Sequence, residues 1–246
     1  MNTALANWNG EQMPLQDVRV SVLDRAFLFG DAVYEVLRIY SGRLFRIDDH
    51  LERMSKSRES LRINGVETAV LRERVQQTTA NSGVTEGLAY IQVTRGEAPR
   101  THRYPDNAVP NVLIYADNFD DPYKDIRDCG VSAVSHPDIR WGRNDIKATS
   151  LAANCMAAQY AYERGCAEVL FIDAKGIVTE GSHTSIFAVR NGMLVSAPAS
   201  QNILPGITKK LILELAKSAG IFLTEGRVSQ NDLKDIDELF LSGTPE

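Results

Sequence analysis

Hydrophobic and polar positions along this chain follow two rhythms, and the changes between them mark its elements. VYEVLRIYSGRLFRI, Val33 to Ile47, is rich in β-forming residues and broken by Ser41-Gly42, which predicts a hairpin. Leu51, Met54 and Leu61 then fall near one face of a helix that Asp48 or Asp49 would cap. A second helix is expected from about Glu67 to a stop at Gly83. AYIQVTR and NVLIYA read as strands with a loop between them, and GVSAVSH as a further strand. SLAANCMAAQYAYERG is alanine-rich and helical up to Gly165. EVLFID and TSIFAV are strands, and the second continues through Asn191-Gly192, a tight-turn pair, into MLVSA. ITKKLILELAKSAG is an amphipathic helix ending at Gly220, and ELFLSG reads as a last strand.

The pattern has no internal repeat and no low-complexity segment. It predicts an α+β protein in two parts. DNFDDPYKD, Asp117 to Asp125, is polar, aperiodic and holds a proline, so it marks the boundary. The expected division is an N-terminal α/β domain over 1–117, a linker over 118–125 and a C-terminal β-rich domain over 126–246. The chain stops at Thr244-Pro245-Glu246, straight after the last strand, and further C-terminal residues are expected beyond it.

Composition narrows the function classes. With 246 residues, 43% hydrophobic and 24% charged, this is an ordinary globular chain. Its net charge of −5 argues against a general nucleic-acid surface. Against that acidity, RGEAPRTHRYP, Arg95 to Pro105, gathers three arginines and a histidine, which points to a small anionic ligand. MNTALANWNGEQMP lacks the basic start and apolar run of a signal peptide, and no stretch reaches the roughly 18 apolar residues of a membrane helix. Cys129, Cys155 and Cys166 lack metal-type spacing and read as thiols of a reducing compartment, so a cytoplasmic protein without a metal site is expected.

Four segments, Tyr34-Glu35, RWGRNDIKATS, VTEGSHTS and LPGIT, are dense in polar groups beside apolar strands, and DHLERM is a further candidate. RWGRNDIKATS holds Lys147 after Ile146; an amine desolvated by such neighbours attacks carbonyls, although a solvated loop lysine would look the same. VTEGSHTS holds Glu180, Ser182 and Thr184 around Gly181, which suits either a polar ligand or a plain turn. LPGIT places the N–H groups of Ile207 and Thr208 at a helix start, where they would hold a phosphate or simply begin the helix. DHLERM puts His50 and Arg53 on one helix face, as a site or as an ion-pair stripe with Glu52.

Taken in order, FGDAVYEV, DHLERM, RWGRNDIK, VTEGSHTSIF, LPGIT and DELFLSGT resemble the fold-type IV class of pyridoxal 5'-phosphate (PLP) enzymes over essentially the whole chain. That class holds D-amino-acid and branched-chain aminotransferases and aminodeoxychorismate lyase. The resemblance implies that Lys147 holds PLP as a Schiff base and shuttles the proton, and that Glu180 pairs with the pyridine nitrogen. It implies that Arg53, the backbone of Ile207 and Thr208, the Thr208 hydroxyl and Thr244 bind the phosphate. Ser182 and Thr184 would line the cofactor loop, and Leu204 would pack on the ring. His183 stands where the family pattern carries a small serine, and Asn154 matches a family asparagine read here as structural.

Within the class the chain is most similar to the D-amino-acid aminotransferases, through Tyr34 and the Arg100-Thr101-His102 of VTRGEAPRTH. The resemblance implies that Tyr34, Arg100 and His102 hold the substrate α-carboxylate, with Arg100 and His102 reaching across from the other subunit of a homodimer. An arginine grips a carboxylate through two parallel charge-assisted bonds, to which a histidine and a phenol add one each. Arg95 and Arg103 fall outside the matched pair and read as loop charges. The implied activity is transamination between D-amino acids of the D-alanine or D-glutamate type and 2-oxo acids such as 2-oxoglutarate. The rivals are a branched-chain L-amino-acid aminotransferase, aminodeoxychorismate lyase, and a non-catalytic phosphate-ligand binder; Lys147 and Glu180 together argue against the last.

Overall fold

A computed structural model describes residues 4–124 and 126–244. Asp125 at the end of the expected linker, and Pro245 and Glu246 at the chain end, lie outside the described residues. The chain divides into two compact units. The first holds the residues up to Asp120 together with Ile146–Ser150, and the second holds Asp121–Asp145 and Leu151–Thr244.

In the first unit, β1 (Leu5–Trp8) and β2 (Glu11–Pro14) form a hairpin. Its turn residues Asn9 and Gly10 both have positive φ, 54° and 104°, the backbone that an Asn-Gly pair tolerates. The short helix α1 (Arg25–Phe29) is capped by the Asp24 carboxylate, which accepts from the Ala26 N–H at 2.8 Å. β3 (Ala32–Tyr40) and β4 (Arg43–Leu44) form the hairpin expected at Ser41-Gly42. Helices α2 (Ile47–Leu61) and α3 (Thr68–Ser82) follow, then β5 (Gly87–Thr94) and β6 (Val112–Asn118). The sheet order is β2-β1-β6-β5-β3-β4, antiparallel throughout.

Alternation along the strands decides what this sheet buries. Val33, Leu37 and Ile39 of β3 join Ile91, Val93 and Ile114 on one face, packed with Leu51 and Met54 of α2 and Leu71 and Val75 of α3. Fully burying each large aliphatic side chain there contributes about 1.5–3 kcal/mol. Tyr34, Tyr90 and Tyr115 have the opposite parity and stack in a row, with ring centroids 5.9 and 5.0 Å apart. The expected Asp48 or Asp49 cap is corrected. The N-cap of α2 is Arg46, in the left-handed region at φ 50°, with no side-chain cap bond. Both aspartates sit instead in the first turn, where the helix dipole favours them.

The assignment of everything from residue 126 onward to the second part is also corrected. Ile146 and Ala148 are buried in the core of the first unit. The Tyr34 N–H donates to the Lys147 carbonyl at 3.0 Å, and Ala148 bridges to Val33. The Lys147 N–H donates to Ser57 Oγ at 3.1 Å. Two apolar side chains at i and i+2 drive this segment along β3 as a strand would run.

In the second unit, β7 (Ala133–Pro137) pairs in parallel with β8 (Glu168–Ile172), and α4 (Ala152–Tyr162) lies between them in sequence. β9 (Ser185–Arg190) and β10 (Met193–Ser196) form the hairpin at Asn191-Gly192. α5 (Ile207–Ser218) leads to β11 (Leu223–Glu225), and the last strand is β12 (Glu238–Ser242). The sheet order is β11-β10-β9-β12. Val178, Ile186, Ala188 and Val195 make one core patch, and Phe187 stacks on Phe240 at 5.0 Å.

Candidate active site

Three groups of polar residues stand out, two in the first unit and one in the second. In the first group, β3 turns Tyr34 and Glu35 to opposite faces. The Lys147 Nζ lies 4.3 Å from the Tyr34 ring centroid. Glu35 is fully buried. Its Oε1 accepts from Arg53 Nε and its Oε2 from Arg53 Nη2, each at 2.7 Å, and His50 Nδ1 is 2.7 Å from Oε2. His50, Arg53 and Ser57 share one buried face of α2, as their spacing requires. Burial works to raise the Glu35 carboxyl, but Arg53, His50 and the positive charge of Lys147 outweigh it and hold its pKa at about 2. Burial pushes the His50 imidazole below its ordinary value against the pull of Glu35. A carboxylate only accepts, so Nδ1 carries the His50 proton. The family resemblance implies a phosphate for Arg53, and in the first unit two of its guanidinium nitrogens are committed to Glu35.

The basic loop forms the second group. Arg100 and His102 are exposed and both lie on Phe29, with the Arg100 guanidinium 5.4 Å and the His102 ring 5.6 Å from its ring centre. Arg103 is exposed and loosely paired with Asp106 at 3.8 Å, as a loop charge would be. The reading of Arg95 as a loop charge is corrected. Its side chain is buried, forks onto Asp31 with Nε–Oδ2 at 2.7 Å and Nη2–Oδ1 at 2.9 Å, and lies 3.6 Å from the Tyr104 ring centre. An arginine is buried at low cost only when a carboxylate meets it, and Asp31 does so.

The third group surrounds Glu180. Its Oε1 pairs with Arg140 Nη1, and its Oε2 accepts from the Leu204 N–H at 3.0 Å. Asp138 grips the other side of Arg140, with Oδ1–Nε at 2.9 Å and Oδ2–Nη2 at 2.7 Å, and accepts from Thr179 Oγ1. Burial opposes the Arg140 charge, yet Asp138 and Glu180 carry its pKa above the ordinary value. Near-complete burial is the larger effect on Glu180 and pushes its carboxyl up. Glu168 organises the following turn. It accepts from the Ser182 N–H and from Thr184 Oγ1, both at 2.9 Å. His183 rests on Ser182 Oγ at 2.6 Å, and Asn154 Nδ2 donates to the Ser182 carbonyl at 2.6 Å.

At the start of α5, Gly206 is an N-cap without a side chain, so it leaves the first N–H groups of the helix, Ile207 and Thr208 among them, without a capping side chain. Thr208 Oγ1 lies 2.9 Å from Thr244 Oγ1 and donates to the Gly243 carbonyl at 3.0 Å. Two residues before Thr244, the buried Ser242 Oγ has no hydrogen-bond partner among the described residues.

The sequence-predicted residues thus gather within each unit: Tyr34, Arg53 and Lys147; Arg100 and His102; Glu180, Ser182, Thr184, Leu204, Ile207, Thr208 and Thr244. Sequence reasoning marked Glu35 only within the polar pair Tyr34-Glu35, without a role, and missed Asp138, Arg140 and Glu168. Glu35 carried a usable signal, because it is the one acid at an inward position of a strand whose other inward residues are Val33, Leu37 and Ile39.

Comparison with known proteins adds the family context. The Amino-transferase class IV family model matches residues 32–245. A D-alanine aminotransferase of Staphylococcus epidermidis is 36% identical over 239 residues, covering 96% of this chain and 84% of the relative. One from Bacillus licheniformis is 35% identical over 238 residues, covering 96% and 83%. Among solved structures, the Escherichia coli branched-chain amino acid aminotransferase superposes with a TM-score of 0.90 at 24% identity, over 98% of this chain and 83% of that one.

Proposed function

This chain belongs to the Amino-transferase class IV family, and on that premise we propose that it transfers the amino group between D-amino acids, of the D-alanine or D-glutamate type, and 2-oxo acids such as 2-oxoglutarate. It is an aminotransferase of the fold-type IV class, and PLP is the cofactor of that family. The single observation that carries the D-amino-acid reading is the pair Arg100 and His102, two exposed cationic or donor side chains seated on Phe29 in the loop after β5. Identity of 34–36% to curated D-alanine aminotransferases supports it. The likeness to the branched-chain enzyme concerns the fold and favours no second substrate.

The donor set fits the cofactor. Thr208, Thr244, the uncapped N–H groups of α5 and the orphaned Ser242 hydroxyl suit a phosphate. Arg53 enters through the family resemblance alone, and in the first unit Glu35 fixes its orientation. Glu180 is a buried acid of the kind that holds a proton at a pyridine nitrogen, and Leu204 supplies an apolar side chain for the ring. Ser182 and Thr184 shape the neighbouring turn. When bound, PLP supplies an electron sink for the electrons left at the substrate Cα. Lys147 would hold the cofactor and, once displaced by the substrate amine, would take the proton from the substrate Cα and return it at C4′ of the cofactor, two bonds away. Its position is set by the backbone bonds to Tyr34 and Ser57. Tyr34, Arg100 and His102 fix the substrate α-carboxylate on one side of that amine, and the side chosen sets the hand of the product. A homodimer, with Arg100 and His102 serving the partner subunit, and a cytoplasmic location complete the reading; no described helix is long and apolar enough to cross a membrane.

The test is spectroscopic. Purified protein should carry a near-visible absorption band, lose it on adding D-alanine and regain it on adding 2-oxoglutarate. A band that D-alanine leaves untouched contradicts the substrate assignment. Arg100→Ala should raise KM for D-alanine by roughly ten- to a hundredfold, since a charged hydrogen-bonded contact is worth about 1.5–3 kcal/mol. An unchanged KM would place the carboxylate elsewhere.

A further inference from the structure

Arg25 is buried in α1 and has no part in the chemistry above. Its Nε donates to Asp31 Oδ2 at 2.7 Å, and its Nη1 donates to the Thr101 carbonyl at 2.7 Å. Thr101 is the residue between Arg100 and His102. Asp31 is shared, because Arg95 takes the same Oδ2 as well as Oδ1. Arg95 in turn donates to the carbonyls of Leu61 and Arg62 at the end of α2, at 2.6 and 2.9 Å. One buried carboxylate therefore joins two arginines, one fastened to α2 and the other to the loop tip.

The base of this loop is fixed by other means. Asp24 accepts from Thr94 Oγ1 and Asn111 Nδ2, each at 2.8 Å. Gly96 has φ 93°, and a Cβ there would lie 1.9 Å from the Val109 carbonyl oxygen. The tip is different. Among the described residues, the hydrogen bond that ties residues 99–104 to the rest of the unit is the one from Arg25 to Thr101. Phe29 supplies the floor: the Arg25 guanidinium is 4.7 Å from its ring centre, on the same ring that carries Arg100 and His102.

We propose that Arg25, locked by Asp31, is a positioning residue for substrate binding: it fixes the Thr101 peptide and so presents Arg100 and His102 to the substrate carboxylate already ordered. The inference rests on the reading of Arg100 and His102 as the carboxylate-binding pair. Ordering two rotamer-rich side chains before binding is worth roughly tenfold in affinity.

A double-mutant cycle tests it, with KM and kcat for D-alanine measured at saturating 2-oxoglutarate in the holoenzyme, Arg25→Met, Arg100→Met and the double variant. Arg25→Met should raise KM roughly tenfold with kcat within about twofold. Adding Arg25→Met to Arg100→Met should raise KM by about threefold at most, clearly less than it does alone, because only His102 is then left to position. Multiplying effects, or an unchanged KM in Arg25→Met, overturn the positioning role and leave the carboxylate pair standing. An unchanged KM in Arg100→Met removes the pair itself, and the role of Arg25 with it. Should Arg25→Met not fold, Arg25→Lys keeps a cation on Asp31 with a single donor nitrogen. It should show the same KM rise with kcat within about twofold of the parent enzyme, and an unchanged KM overturns the proposal.

Discussion

Lys147→Ala should lower the rate of pyruvate formation from D-alanine by on the order of 10⁴-fold, the upper end of what a positioned acid–base group supplies. The substitution removes the amine that holds the cofactor and the base that moves the Cα proton, and no other amine lies in the Glu35–Tyr34 group to replace it among the described residues. The variant should fold. The contacts that seat this segment are made by the Lys147 backbone, to Tyr34 and Ser57, and by the side chains of Ile146 and Ala148. A methyl group in place of the aminobutyl chain disturbs none of them. Equal melting temperatures with lost turnover would locate the effect in chemistry. A variant that kept a tenth of the activity would contradict the assignment.

The largest stability effect is expected at Glu35. Glu35→Gln keeps the shape but removes the charge that meets Arg53 and leaves one acceptor oxygen for three donors where the carboxylate offers two. Stranding a buried guanidinium costs about 3–5 kcal/mol. Denaturant titration at pH 7 measures it directly, and a loss below about 1 kcal/mol would contradict the account. The same group gives a pH signature. The folded Glu35 pKa of about 2 lies below its ordinary 4.5, so its stabilisation is complete above about pH 4.5 and is lost as pH falls toward 2. That difference corresponds to about 3 kcal/mol, which the native protein should lose across this window and Glu35→Gln should not.

What the sequence made legible follows the range of the forces involved. The hairpins at Ser41-Gly42 and Asn191-Gly192 and the helix stop at Gly83 rest on chemistry within a few residues, and they formed as expected. The same Asn-Gly pair at Asn9-Gly10 turns β1 into β2, but strands of four residues are too short to display a rhythm, so that hairpin is missing from the expectations. Arg95 shows the opposite limit. Its neighbours in sequence are polar and it reads as solvated; its burial is decided by Asp31, 64 positions away. Lys147 was legible as a chemical group through its resemblance to a family, yet its place beside β3 depends on Ile146 and Ala148 finding the core of the first unit. Asp138 and Arg140 pair with each other two residues apart, but nothing near them in sequence announces Glu180 and Thr179, which reach them from the segment between β8 and β9.

The central claim is the hand of the substrate. A single panel of D- and L-amino acids, with 2-oxoglutarate as acceptor and kcat/KM as the readout, tests it most directly. Sites that hydrogen-bond a substrate group strongly reject analogues that misplace it, so D-alanine should be preferred over both L-alanine and L-leucine by at least about 10²-fold. Faster turnover of L-leucine than of D-alanine would contradict the account and move the carboxylate to the other side of Lys147.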